Sequence, residues 1–286
     1  SEDCLLINVY TPAALKDKSD NKSGDGRKRP VMFYIHGGAF ATGSGSTSGL
    51  DGTHLAKRGD VVVVTINHRL NIFGYLHLGG MEADGGKWRD ASNAGMLDII
   101  AALEWTRDNI EAFGGDAGSI TIFGQSGGGS KVSMLMAMPA AQGLFHKVIA
   151  QSPGTLQRGF EPDFATQSTD KLLAALNVSR SNLAALQDLS TEQLMAGRRA
   201  AGLTHGSLRP VVDGRHLPVH PFDPVGPAQS AHIPLMIGST DTEASFYLTM
   251  DPNNFGMDEA QACRKMQEVL DADAEGCKRL MAEYRK

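Results

Sequence analysis

Long apolar runs are missing from this 286-residue chain. The longest are strand-sized, such as Val61 to Ile66, against the roughly 20 residues a helix needs to cross a bilayer. Runs of positive charge are missing too. Lys and Arg number 27 against 32 Asp and Glu, a formal net charge of -5. No basic block follows a helix face, so the electrostatic footprint of a nucleic-acid binder is absent. Cysteine is scarce: Cys4, Cys263 and Cys277 make neither a disulfide framework nor a zinc-ligand spacing. Cys263 and Cys277 are near enough for a local bridge, and two free thiols in a helical region are an equal alternative. The opening residues, Ser1 to Leu5, carry neither the basic nor the apolar stretch of a secretion signal, which leaves the compartment open.

Glycine, by contrast, is abundant. Its 33 residues cluster in short runs between apolar segments, where a backbone must turn sharply or let another group approach. Hydrophobic residues make up 41% and charged residues 21%, ordinary for a globular chain of a size that one large α/β domain fills.

The pattern along the chain alternates. Leu5 to Tyr10 reads as a strand, and residues 16–30 as a solvated loop closed by Pro30. Val31 to Ile35 and Val61 to Ile66 are apolar on both faces, as central parallel strands are when helices cover the sheet on both sides. From Ala94 to Ile110 the period becomes helical, with Ala94, Leu97, Ala101 and Trp105 as the expected packed stripe, widened by Met96, Ile100 and Leu103. Ser119 to Phe123 reads as a strand, Gly124 to Gly129 as a sharp turn, Ser130 to Met138 as a helix ended by Pro139, and Lys147 to Gln151 as the next strand. Such alternation predicts a mostly parallel sheet flanked by helices. Residues 162–205 are Leu- and Ala-rich, and read as a helical cap inserted before a further core strand, Pro234 to Ser239.

Two segments carry chemistry. Gly124-Gln125-Ser126-Gly127-Gly128 fits G-x-S-x-G, the nucleophile elbow of α/β-hydrolases. A serine there sits in a strained strand-to-helix turn, and flanking glycines leave room for it. Its hydroxyl is then held at the positive end of the following helix. The bland reading is a Gly-rich turn with an incidental serine; the strand leading in and the helix leading out favour the elbow. His36-Gly37-Gly38-Ala39-Phe40 follows a strand end, and its small residues would let a substrate reach backbone N–H donors. Gly38 and Ala39, with Gly127 after the serine, make three expected oxyanion donors. His36 is read as structural, because the base in this fold follows the acid in chain order.

A family resemblance follows from longer stretches. Phe113 to Gly128, FGGDAGSITIFGQSGG, resembles the serine signature of the type-B carboxylesterase and cholinesterase family, and Glu2 to Pro12 resembles its second signature, with Leu6 where an aromatic residue or Thr is usual. Asn93 to Ile110, Arg209 to Gly214 and Ile237 to Ala244 match further family segments in the same order, from residue 1 to about 250. The resemblance implies an α/β-hydrolase that cleaves small-molecule carboxylic esters through an acyl-enzyme on Ser126, without a metal or organic cofactor. It implies Glu243 as the triad acid, whose bland alternative is a carboxylate at a helix N-terminus, and Ser152 as a supporting hydroxyl near that acid. Gln125, in place of a Glu common in cholinesterases, argues against a choline-type cation site.

Two departures qualify it. The family has a segment before the Glu-Asp-Cys motif, usually with a cysteine that pairs with the one found here as Cys4. The base should also follow the acid, yet all nine histidines, the last being His232, precede Glu243. The expectation is a chain truncated at both ends, a poor esterase alone, with its histidine supplied by a missing C-terminal segment. The rival from another class is a non-enzymatic adhesion or binding module of the same fold, against which the intact Ser126, its glycines, the oxyanion loop and Glu243 speak. A third reading, a catalytically silent fragment, concerns this chain alone, whereas the esterase reading concerns its parent protein.

Overall fold

A computed structural model describes residues 3–12, 27–81, 86–154, 158–243, 245, 249, 252–270 and 273–285. Most of the expected 16–30 loop lies outside the described residues; its last two residues already belong to a strand. The chain forms two compact units, Ser1–Ser239 and Thr240–Lys286.

The first unit is built on a sheet of six described strands: β1 Ile7–Tyr10, β2 Arg29–Ile35, β3 Val62–Ile66, β4 Gly115–Gln125, β5 Lys147–Gln151 and β6 Leu235–Gly238. Their order is β1-β3-β2-β4-β5-β6. Only the β1–β3 pair is antiparallel. The helices are α1 Thr53–Gly59, α2 Asn71–Tyr75, α3 Ala94–Asn109, α4 Gly127–Ala137, α5 Pro162–Leu176 and α6 Thr191–Ala200. Because β2 through β6 run parallel, each connection returns over the sheet, and the carboxyl ends of β2, β4 and β5 fall at one edge. The register pairs Ile35 with Gly124 and Gln125 with Gln151. Loops at such an edge are where open α/β sheets place their ligands.

β-Branched and aromatic residues fill the central strands, so Val31, Phe33, Ile35, Val62, Val64, Ile66, Ile120 and Ile122 are fully buried. The buried face of α3 keeps Ala94, Met96, Ile100 and Leu103 of the expected stripe and departs from it elsewhere. Met96, Ile99, Ile100 and Leu103 face the core at i, i+3, i+4, i+7 spacing, whereas Ala101 is exposed and Leu97 and Trp105 only partly covered. Buried Asp98 sets that rotation: Arg69 grips it through its backbone N–H (2.8 Å), Nε (2.8 Å) and a terminal nitrogen (2.6 Å). Satisfying one buried carboxylate outweighs the few apolar contacts that separate two candidate stripes.

Other boundaries move for identifiable reasons. β4 begins at Gly115, four residues early, because Gly115 pairs with Arg29 beyond a register shift. α4 begins at Gly127 rather than Ser130, since the three glycines are helical despite their low propensity. β1 starts at Ile7, leaving Leu5 and Leu6 exposed. β6 lies at the edge of the described sheet: it pairs with β5 alone among the described residues, and Met236 is 66% exposed.

In the second unit, α7 Glu259–Leu270 and α8 Ala274–Tyr284 are joined by a disulfide between Cys263 and Cys277, which decides between the two open readings of those thiols. The Asp273 side chain caps α8 by accepting from Gly276 N–H.

Candidate active site

Ser126 sits between the last residue of β4 and the first of α4, with φ 55° and ψ -121°. Positive φ is disfavoured for any residue with a β-carbon and costs on the order of 1–3 kcal/mol. The conformation is held from both sides: Ser126 N–H donates to Gln151 O (2.8 Å), and Ser126 O accepts from Ser130 N–H (3.0 Å). This is the strained strand-to-helix turn expected from the pentapeptide. The Ser126 hydroxyl has no hydrogen-bond partner among the described residues.

Glycine lets this turn lie against the neighbouring loop. A β-carbon on Gly128 would fall 2.0 Å from Ile35 O, and one on Gly127 would fall 2.5 Å from Ala39 N. The start of α4 therefore presses directly on the backbone of residues 35–39, and the expected donors Ala39 and Gly127 converge.

That loop is fixed by its carbonyls. Gly38 and Ala39 both have positive φ, 91° and 53°. His36 Nδ1–H donates to Gly37 O (2.8 Å). Gly38 O accepts from the N–H groups of Ala41 (3.2 Å) and Thr42 (3.1 Å), and Phe40 O from that of Asn71 (2.8 Å). In a trans peptide the C=O and the following N–H point in opposite directions. Anchoring Gly37 O and Gly38 O therefore aims the N–H groups of Gly38 and Ala39 away from the anchors, and neither has a partner among the described residues.

Sequence reasoning missed what lies behind the loop. Lys131, on α4, is fully buried, and its Nζ donates to His36 O (3.1 Å) and Ala39 O (2.7 Å). Burial pushes the Lys131 ammonium down to about 7. Beside it His36 stacks on His68, with ring centroids 4.6 Å apart and planes 8° from parallel. Burial, and secondarily the Lys131 charge, lowers His36 to about 4, while the Gly37 carbonyl acts weakly in the other direction. Burial first, then Lys131 and His36, drives His68 well below its ordinary value. His36 is thus a neutral, buried spacer, in accord with its structural reading. In the sequence Lys131 stands out only as the one charged residue of the α4 stretch GGGSKVSMLMA, which does not announce its burial.

The other expected residues are placed as follows. Ser152 has φ 42° just after β5, and its N–H donates to Gly238 O (2.8 Å). Glu243 follows β6 in the chain and lies in the second unit, where its Oε2 accepts from the N–H (2.9 Å) and hydroxyl (2.7 Å) of Thr240. Gln125 is exposed. A cleft of about 940 Å³ opens beside Ala41, Gly43, His68, Arg69 and Trp88. Neither Ser126 nor the loop's Gly38 and Ala39 line it. Among the described residues no cluster of His, Cys, Asp and Glu has the makings of a metal centre.

Residues 1–282 match the model of the family described as the carboxylesterase family. The chain belongs to that family. It is 37% identical over 257 residues to the para-nitrobenzyl esterase of Bacillus subtilis, covering 88% of this chain and 49% of that protein. With human carboxylesterase 3 it shares 35% identity over 261 residues, covering 90% of this chain and 42% of that protein. A solved carboxylesterase of Geobacillus stearothermophilus superposes with a TM-score of 0.86 at 39% identity, covering 99% of this chain and 56% of that one. The fold is accordingly that of the α/β-hydrolases, with its mostly parallel sheet flanked by helices. The chain spans about half the length of the curated relatives it matches. No described helix is long and apolar enough to cross a membrane.

Proposed function

We propose that this sequence carries the acylating machinery of a serine carboxylesterase acting on small-molecule esters, with Ser126 as nucleophile. The observation that carries the reading is the Ser126 backbone, held at positive φ at the head of α4, beside two unpartnered N–H groups. A histidine base would take the Ser126 proton as Oγ attacks the ester carbonyl. The resulting oxyanion would accept from the N–H groups of Gly38, Ala39 and Gly127. Collapse of the intermediate expels the alcohol, which regains a proton from the base. Water then attacks the acyl-enzyme by the same route and frees the carboxylic acid and Ser126.

Glu243 is proposed to orient the base, and Ser152 to steady that carboxylate. The base itself is proposed to come from a segment beyond these residues. Nitrogens of several local histidines are otherwise engaged: His146 Nδ1 accepts from Ile120 N–H, His216 contacts Asp90, and His220 contacts Glu161. His36 and His68 are buried against each other.

The test is labelling with a fluorophosphonate probe, together with p-nitrophenyl acetate turnover, in the protein that carries this sequence. Ser126→Ala is expected to abolish labelling and to lower kcat by on the order of 10⁶. Labelling that persists in that variant would remove Ser126 from the mechanism.

A further inference from the structure

Lys131 is an expensive residue for its position. A buried lysine must give up either its hydration or its proton, whereas an apolar side chain of equal reach would give up neither. Lys131 is 0% exposed, on a helix buried along its whole length. No carboxylate pairs with it among the described residues, and the charged or titratable groups beside it are His36 and His68, both kept neutral. Its partners are two backbone carbonyls, His36 O and Ala39 O, and the Phe40 ring, whose centroid is 5.3 Å from Nζ.

Those two carbonyls bracket the segment that holds Gly38 and Ala39. His36 O belongs to the peptide entering Gly37, and Ala39 O to the peptide leaving toward Phe40. One ammonium therefore ties both ends of a stretch with two residues at positive φ, a conformation that would relax without outside constraint. The tether originates five residues after Ser126 on the helix that Ser126 begins, so loop and nucleophile are referenced to the same element.

We propose that Lys131 is a positioning residue that holds the Gly38 and Ala39 N–H groups in register with Ser126 by gripping the carbonyls of His36 and Ala39. The catalytic half of this rests on the ester-hydrolysis reading above; the tether itself does not. Lys131 touches no reacting atom. A registration role predicts an effect on the chemical step and little on ground-state binding, since the oxyanion forms only after attack. The burial-lowered pKa is consistent with this use, because ammonium and amine alike keep N–H donors for two carbonyls.

The experiment compares Lys131→Met, equal in reach but without a donor, with Lys131→Gln, which keeps two N–H groups on a shorter arm. Three readouts are taken in the protein that carries this sequence: thermal unfolding, amide hydrogen exchange across residues 37–42, and steady-state hydrolysis of p-nitrophenyl acetate. Lys131→Met is expected to exchange faster in the loop and to lose about 10–100-fold in kcat with KM within about 3-fold. That is one step short of the 10²–10³ lost when a donor itself is removed. Lys131→Gln should recover part of both effects. Unchanged loop exchange in Lys131→Met overturns the proposal whatever the activity does. Faster exchange with kcat intact overturns it too, as does a rise confined to KM. If Lys131→Met does not fold, Lys131→Gln decides by the same criteria. A parent protein without esterase activity sinks the hydrolase reading and the catalytic half with it, while the exchange measurement still decides the tether.

Discussion

At the scale of single residues, the site is a set of exchanges between strain and close approach. Ser126 takes a disfavoured φ, and Gly128 gives up helix propensity so that α4 can touch Ile35 O. Replacing Gly128 by alanine makes these terms compete directly. Helix propensity would favour alanine by about 1 kcal/mol. A β-carbon 2.0 Å from a backbone oxygen cannot be relieved by a rotamer change, so backbone must move, at a cost of several kcal/mol. Gly128→Ala is expected to lower Tm by on the order of 5 °C or more. Gly154→Ala, whose β-carbon meets nothing within 4 Å, should shift Tm by little. Equal shifts in the two variants would remove the close-approach argument. Ser126 and its glycines were legible in the sequence because the turn demands those residue types at that spacing. Lys131 was not, because a lysine is ordinarily a solvated residue, and only the burial of its whole helix reveals what it does.

Elements were legible where one physical signal dominates. The apolar runs at the heart of β2 and β3, and the boundaries of β5, follow from strand-length runs between turn residues. The rotation of α3 was not legible, because a carboxylate in the buried face breaks the apolar pattern and its partner, Arg69, lies 29 residues away. The place of β6 at the edge of the described sheet and the Cys263–Cys277 pairing likewise depend on neighbours that no local pattern names. The α3 contact is testable. The Asp98 side chain is 5% exposed and that of Arg69 43%, so the pair is only half shielded from water. Asp98→Asn is expected to destabilise the first unit by about 2 kcal/mol, below the 3–5 kcal/mol of a fully buried pair. Chemical denaturation with an unchanged m-value is the measurement. A loss under 0.5 kcal/mol would mean that the apolar face alone sets the helix rotation. Asn93 makes a comparable long-range tie: its side chain donates to Val211 O (2.9 Å) and accepts from Val211 N–H (3.1 Å). That bond gives a physical reason for two sequence segments that resemble the same family.

For the molecule as a whole, the grouping of His36, His68 and Lys131 sets a dependence of stability on acid. All three are disfavoured as cations where they sit, so the folded state binds fewer protons than the unfolded chain whenever the unfolded groups are charged. For His36 the window runs from its ordinary 6.5 down to about 4. Across it the unfolded state holds the extra proton, so stability present above pH 6.5 declines as pH falls and is gone below about 4. The shift corresponds to about 3 kcal/mol in total. His68 acts in the same direction. Lys131 acts in a higher window: between about 7 and its ordinary 10.5 the unfolded chain again holds more protons, so its contribution rises with pH. Urea unfolding at a series of pH values between 7.5 and 5 is therefore expected to show falling stability. His36→Asn, which keeps a donor for Gly37 O but cannot titrate, should flatten part of that decline. If His36→Asn retains the full slope, the acid sensitivity arises elsewhere than in the buried His36 ring.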